Sequence, residues 1–481
     1  MGKTMKKYIE ESKKIWNICG PAFFVFLCQY SLGAITQTFL GRVGTLELAA
    51  FSIENSLIAN FAFGIMLGLG SALETLCGQA FGAGQQHMLG IYMQRSWVIL
   101  NSISCLLIFL YIFATPILKL IKQDPEIAEA SGKIARLMIP QLFAYAMNFP
   151  LAKFLQAQSR VMVMAAISGI VVVLHVFFSW LVILRLRWGM VGGAVVLDCS
   201  WWLIVIAQFV YVVSGRCGGT WTGFSTKAFA NLWGYLKLSL VSAVMLCLEV
   251  WYYAAVLMIA GFLRNAKISI DALSISLTIV SWVNMVALGF YTGVSVRVSN
   301  ELGAGRPHAA KFAVVVAVSS SFAVGLVISF ILLMLRKQYP VLFTSSKEVQ
   351  EYVSTLTLPL VLSIIINNIQ PVLSGVAVGA GWQALVACVN IGSYYLVGVP
   401  FGLLLGCKLH KGIKGIWYGM LFGTAVQTLI LLLLTYRTNW NKEATDAKER
   451  LEYWRGNNHV NGAEETEARE MTPQRVAETN S

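Results

Sequence analysis

Charge is the scarcest thing in this 481-residue chain: 12% of residues are Asp, Glu, Lys or Arg, 57% are hydrophobic and the mean hydropathy is +0.68. Soluble domains carry roughly 25% charged residues, so a water-facing globule is excluded. Histidine is also sparse, with His87, His175, His308, His410 and His459 dispersed and no HxxxH or acidic motif. An integral-membrane enzyme usually clusters His or Asp at the membrane face, so catalysis is not expected. The nine cysteines include no CxxC; eight lie within apolar runs and Cys217 stands in a loop, a pattern of packing residues rather than a disulfide or zinc framework. No GKS/T follows the Gly-rich GAG segments, each of which ends a long apolar helix, so they read as tight turns rather than phosphate loops. The formal charge of +13 is scattered through short loops and both tails, which gives nucleic acid no patch to bind.

What is present is long apolar runs. A bilayer core about 30 Å thick takes roughly 20 apolar residues per helix, and twelve spans can be read: 15–40, 48–80, 91–118, 134–157, 161–184, 190–213, 231–262, 268–299, 309–335, 353–379, 383–406 and 415–436. The basic start (Lys3, Lys6, Lys7, Lys13, Lys14) precedes an apolar run too long for a signal-peptide core, so the first helix is expected to stay. The expected division is an N-terminal tail over 1–14, an N lobe over 15–214, a linker over 215–228 containing GRCGGTWTGFSTK, a C lobe over 229–436 and a polar tail over 437–481. That tail is expected to lack the apolar content to pack, and to be disordered beyond a short helix. An even number of spans puts both termini on one side, and the basic residues of the tails favour the cytosol.

The two halves repeat one another. GLGSALETLCGQAFGAGQQH at 68–87 aligns without a gap on GFYTGVSVRVSNELGAGRPH at 289–308, a spacing of 221 that matches Gly68/Gly289, Gly82/Gly303, Ala83/Ala304, Gly84/Gly305 and His87/His308. Pro150 and Pro371 share that spacing; LAAFSI at 48–53 falls on IDALSI at 270–275, and GMVGGA at 189–194 on GIKGIW at 412–417, with small register changes. Six spans per half give both halves the same orientation in the membrane, the parallel-repeat arrangement of secondary transporters that alternate a midplane cavity between the two sides. A duplicated receptor or scaffold is the reading from another class; it would move no solute.

Intramembrane charges cost roughly 2.5 to 3.5 kcal/mol on insertion scales and so call for a reason. The acids within the spans are Glu54 and Glu74 in the second, Asp198 in the sixth and Glu249 in the seventh. Glu249 sits in VMLCLEVWYYAAVLMIAG, far from any Lys or Arg in sequence, with Tyr252 and Tyr253 on the same helical face. Desolvation favours the neutral form of such a carboxyl and lets it exchange a proton near physiological pH, as a proton antiporter needs. Glu74 and Asp198 are candidates for a secondary proton role or for bracing, Glu74 being close to the GQAFGAG turn. Substrate-cavity candidates are Gln29, Asn55, Asn148, Tyr253, Asn284, Asn367, Gln370 and Tyr394, and Pro150 and Pro371 are hinge or kink candidates. Pro371 frees a backbone carbonyl beside Asn367, Asn368 and Gln370, which suggests a kinked helix facing a wet cavity. Most buried amides in spans are interhelical glue, worth about 0.6 kcal/mol on average.

Over Met1 to about Arg437 the chain resembles the multidrug and toxic compound extrusion (MATE) transporters, specifically their plant branch. GSALETLCGQAFGAGQ, MLCLEVWYYAAVLMIAG, ISIDALSI, SVRVSNELGAGRP and IKGIWYGM carry the resemblance. It implies an all-α polytopic fold of twelve helices in two six-helix lobes, with proton-coupled export from the cytosol into the vacuole or out of the cell. Substrates of that branch include flavonoid glycosides, alkaloids and other organic cations, and some organic acids; an organic-anion or lipid carrier of the same architecture is the alternative. The partners expected are a small organic solute, protons and the lipid bilayer, with no cofactor and no metal, and the chain is expected to act as a monomer. Glu249 matches the seventh-helix acid through which the family couples to protons. The chain departs from some relatives in having Ala254 where they place a second acid, and from many prokaryotic ones in offering Gln29 and Gln37, but no acid, in the first helix.

Overall fold

In the computed structural model the described residues are 2–260 and 266–455, excepting the side chains at 3, 250, 253–260, 266–270 and 407. They form helices and connecting turns. The N half comprises α1 (Lys3–Leu40), α2 (Thr45–Ile53), α3 (Asn60–Gly82), α4 (Gln86–Ile112), α5 (Ala114–Leu120), α6 (Pro125–Leu137), α7 (Ile139–Ala157), α8 (Val161–Ser179) and α9 (Gly189–Tyr211). The C half comprises α10 (Leu232–Ala260), α11 (Ala266–Gly303), α12 (Pro307–Met334), α13 (Lys347–Ala380), α14 (Gln383–Asn390), α15 (Val399–Leu403) and α16 (Gly412–Arg437), followed by α17 (Trp440–Arg455). π-helical stretches at Glu54–Ala59 and Ile391–Gly398 join segments of single spans, and another at Trp180–Arg185 ends the span begun by α8. Eleven of these helices or joined pairs are long and apolar enough to cross a membrane. The remaining place in the order of twelve belongs to α7, whose apolar run is broken by Gln141, Asn148, Lys153 and Gln156.

Every backbone N–H and C=O inside lipid must find a partner within the protein, which is why the spans are helical. Turn chemistry sets the helix ends. Asp124 caps α6 by accepting from the N–H groups of Glu126 and Ile127 at 2.9 and 3.3 Å. α13 stops at Gly381, whose φ of +90° is the left-handed conformation that glycine tolerates. Pro150 and Pro371 both lie inside helices that run on unbroken, α7 and α13.

The glycines common to the two repeats mark where the halves meet. A Cβ on Gly68 would fall against the Ala243 backbone of α10, and one on its counterpart Gly289 against the Cys19 backbone of α1. Nearer the helix ends, Gly82 of α3 packs on the Asn300 backbone while Gly303 of α11 packs on the Gln79 backbone. Gln79 and Asn300 are themselves 221 apart, so the contact is reciprocal, as around a pseudo-twofold axis. Only residues without a side chain let two helix backbones approach so closely.

α1 begins, and α17 packs, at this closed end. Glu11 of α1 accepts from Arg297 at 2.8 and 3.2 Å, and Arg297 also pairs with Glu301 at 2.7 Å. The tail departs from the expectation that it could not pack. In α17, Trp440, Ala447, Leu451 and Trp454 are buried and form one apolar stripe across the ends of both halves. Trp382 donates to Glu443 at 2.8 Å, and Arg450 donates to Gln79 of the N half at 2.8 Å and to the Ala380 carbonyl of the C half at 3.3 Å. Burial pulls the Arg450 guanidinium below its ordinary pKa, with Glu443 and Asp446 pushing the other way. Residues 456–481 lie outside the described chain.

Candidate functional site

In the C half, α10 brings Glu249 against α13 and α14. Three donors converge on one carboxylate oxygen: Gln370 Nε2 at 3.1 Å, Ser374 Oγ at 3.2 Å and Asn390 Nδ2 at 3.4 Å from Glu249 Oε1. A relay of side chains orients the last of these. Tyr394 OH donates to Gln427 Oε1 at 2.9 Å, and Gln427 Nε2 donates to Asn390 Oδ1 at 2.7 Å. Tyr252, one turn beyond Glu249, stacks on Tyr394 with ring centroids 4.3 Å apart and planes 8° from parallel, and its OH donates to the Met420 carbonyl at 3.0 Å. Tyr395 donates to the Leu248 carbonyl at 3.0 Å.

This arrangement has a definite chemical bias. Three neutral donors stabilise the carboxylate, while among the described residues no Lys, Arg or His forms an ion pair with it. The anion is thus supported by hydrogen bonds alone, and a proton can replace them without leaving an orphaned cation. That is the property of a group which must gain and lose a proton within one cycle.

A cavity of ≈ 660 Å³ lies in the half of the bundle away from the termini. Its walls come from α1 (Gln29, Gln37), the π-helical stretch and α3 (Asn55, Asn60, Phe63), α7 (Gln141, Tyr145), α9 (Leu197, Trp201) and α11 (Ser281, Met285, Leu288). Asn60 and Ser281 are exposed along it, so solvent reaches it. The walls carry amides, hydroxyls and aromatic rings and, among the described residues, no basic side chain. Tyr145 meets Trp201 edge-on at 4.8 Å and Phe63 at 5.3 Å, forming an aromatic floor.

The expected cavity residues therefore separate into groups. Gln29 and Asn55 line the N-half cavity; Gln370 and Tyr394 belong to the Glu249 network. Asn284 is half-buried on α11, between wall residues Ser281 and Leu288. Asn148 is buried with neither amide atom hydrogen-bonded, Asn367 is buried on α13, and Tyr253 lies outside the described side chains. Asn368 faces α12 rather than a cavity: it packs over Gly325, and its carbonyl accepts from Ser321. Trp282 is exposed, with Phe343 5.9 Å away.

Of the two secondary acids, Glu74 has an ion-pair partner. Lys153 of α7 reaches it at 2.7 Å with both side chains buried, and the Lys153 ammonium lies 5.7 Å from the ring of Tyr291 across the interface. Lys153 is a residue that the sequence reading passed over; the available signal was a cation deep in the fourth span and an acid deep in the second. Asp198 has an unpartnered Oδ1. Among the described residues no cluster of three or more His, Cys, Asp or Glu side chains could hold a metal.

The sequence model of the MatE family matches the chain twice, over 21–181 and 242–404, one match in each half. Protein DETOXIFICATION 30 of Arabidopsis thaliana is 59% identical over 456 residues, covering 95% of this chain and 92% of that protein. Protein DETOXIFICATION 31 of the same plant is 58% identical, covering 95% and 87%. The crystal structure of the eukaryotic MATE transporter AtDTX14 superposes with a TM-score of 0.87 at 34% identity, over 92% of this chain and 99% of that one. A Vibrio cholerae MATE transporter, VcmN, shares the fold with a TM-score of 0.80 at 17% identity, over 91% and 99%.

Proposed function

The chain belongs to the MatE family of multidrug and toxic compound efflux transporters and is a multi-pass membrane protein; on that premise we propose that it exchanges protons for a small organic solute by alternating access, with Glu249 as the coupling acid. The observation that carries this reading is the Glu249 network, in which three neutral donors and, among the described residues, no cation meet one half-buried carboxylate. A proton arriving from the acidic side neutralises Glu249, weakens those hydrogen bonds and releases Gln370, Ser374 and Asn390 to rearrange. That rearrangement of α13 and α14 against α10 is what would link the proton to the substrate.

The substrate class we propose is a flavonoid glycoside, alkaloid or other xenobiotic or organic cation. The support is the cavity wall of amides and aromatic rings, which suits flat, hydroxylated or cationic solutes. An organic anion would find no basic side chain there. With the termini in the cytosol, the accessible cavity faces the vacuole lumen or the outside of the cell, the two acidic compartments that a vacuolar or plasma membrane would border. We propose that the polypeptide acts as a monomer.

Wild-type protein in proteoliposomes with an imposed proton gradient tests the reading, assayed against flavonoid glycosides, alkaloids and organic acids. Accumulation that follows the gradient and disappears when an ionophore collapses it is the expected result. Movement that ignores the gradient would remove proton coupling, and gradient-driven movement of organic acids alone would favour an anion carrier.

A further inference from the structure

The N half holds a second pair of buried acids that the Glu249 mechanism does not use. Glu54 begins the π-helical stretch between α2 and α3 and is fully buried, with both carboxylate oxygens unpartnered. Asp198, on α9, is 8% exposed, and its Oδ1 is unpartnered. The two carboxyls are close enough for the charge of one to act on the other, and both act on Tyr111 of α4 and Tyr145 of α7. Tyr111 is fully buried and its hydroxyl has no partner.

The position of this pair is as informative as its burial. Asn55 follows Glu54 and Leu197 precedes Asp198, and both of these neighbours line the N-half cavity with Tyr145. Glu54 and Asp198 each lie about nine residues inside the spans that begin at Thr45 and Gly189, so they sit at a similar depth, roughly 14 Å in at about 1.5 Å per residue. Among the described residues no ion pair offsets them. His175 of α8 is engaged elsewhere, between Thr36 at 3.0 Å and Ser200 at 2.7 Å. The charged residues of the adjoining α6, namely Glu126, Glu129, Lys133 and Arg136, are exposed on its far face, and Glu47 of α2 is two turns away. Two ionised carboxyls cannot share such a site, because an unpaired buried charge neutralises instead.

We propose that Glu54 and Asp198 form a second proton-exchange site, in the N half, reached through the cavity beside Asn55 and Leu197, so that each half of the transporter carries its own proton. The site rests on the proton-coupled reading above and deepens it. In the exchange step one carboxyl O–H bond breaks and one forms on water in the cavity, while the other acid keeps its proton. No redox partner is involved.

The test uses full-length protein in lipid nanodiscs and needs no substrate: infrared difference spectra of the carboxyl band between acid and alkaline buffer, with proton uptake counted by a pH-sensitive dye. Wild type is expected to show two separable contributions. Glu54→Gln/Asp198→Asn removes one and leaves the other, Glu249→Gln does the reverse, and Glu54→Asp keeps both. A double variant that folds, judged by its melting and elution, and retains the whole wild-type signal would overturn the proposal. If the double variant does not fold, Asp198→Asn alone decides: it must lower proton uptake on a pH jump, and unchanged uptake overturns the site. A transport arm in proteoliposomes separates the two readings. If wild type moves ethidium or quercetin glucoside with the gradient and Glu54→Gln/Asp198→Asn does so with the same number of protons per solute, the second site fails and coupling through Glu249 stands. Loss of gradient dependence in wild type with the infrared signal intact sinks the coupling reading instead.

Discussion

Removing the guanidinium of Arg450 is expected to shift the protein toward the conformation in which its halves part at the end carrying the termini. The two bonds that Arg450 makes, to Gln79 at 2.8 Å and to the Ala380 carbonyl at 3.3 Å, tie α3 to α13, and at least one of them must break for that end to open. Hydrogen bonds to a charged group contribute about 1.5 to 3 kcal/mol. Here one Nη1 serves two acceptors and the side chain is half-buried, so the lower end of that range applies. About 1.5 kcal/mol corresponds to roughly a tenfold change in an equilibrium constant, and Arg450→Ala should enrich the open form by that factor. Spin labels on Ala83→Cys and Lys311→Cys, in a background without exposed native cysteines, report the separation by pulsed electron resonance. A longer-distance population that grows about tenfold is the expected result, and Arg450→Lys should fall between. An unchanged distance distribution in a folded Arg450→Ala protein would refute the view that α17 clamps this end shut.

Lys153→Met leaves Glu74 buried without its cation and should cost about 3 to 5 kcal/mol, seen as a marked drop in melting temperature; adding Glu74→Gln should recover most of the loss, and a single variant as stable as wild type would contradict a bracing pair. Gly303→Ala places a methyl group on the Gln79 backbone and should weaken closure by about 1 to 3 kcal/mol, as overpacking does. The same spin-label pair checks this, and Gly82→Ala should match it because the contact is reciprocal.

The sequence made the large-scale architecture legible because hydrophobic length and internal repetition are properties of the chain itself. Twelve apolar runs and the 221-residue spacing lead directly to two similar halves, and the glycines shared at 68/289 and 82/303 prove to be points where the backbones of the two halves approach closely. Glu249 stood out through its isolation from any cation in sequence, and among the described residues no cation pairs with it. Its donors were harder to read, since Ser374 and Gln427 gain meaning only when α10, α13, α14 and α16 come together. The Glu74–Lys153 pair was invisible for the same reason: charges in different spans declare themselves partners only in three dimensions. The tail was misjudged on another ground. Its average composition is polar, but Trp440, Ala447, Leu451 and Trp454 fall at helical spacing on one face, and periodicity rather than mean hydropathy decides whether a helix can pack. The π-helical stretch that sets Glu54 in place has no sequence signature comparable to a cap or a proline.

The most direct test of the central claim is the proton-driven uptake of one transported solute, compared between wild type and Glu249→Gln in matched proteoliposomes. The substitution keeps the shape of the side chain and removes the titrating group. The account predicts that Glu249→Gln folds, melts near wild type and has lost gradient-driven accumulation. Accumulation at the wild-type rate and with the wild-type pH dependence would contradict it and place the coupling proton elsewhere in the molecule.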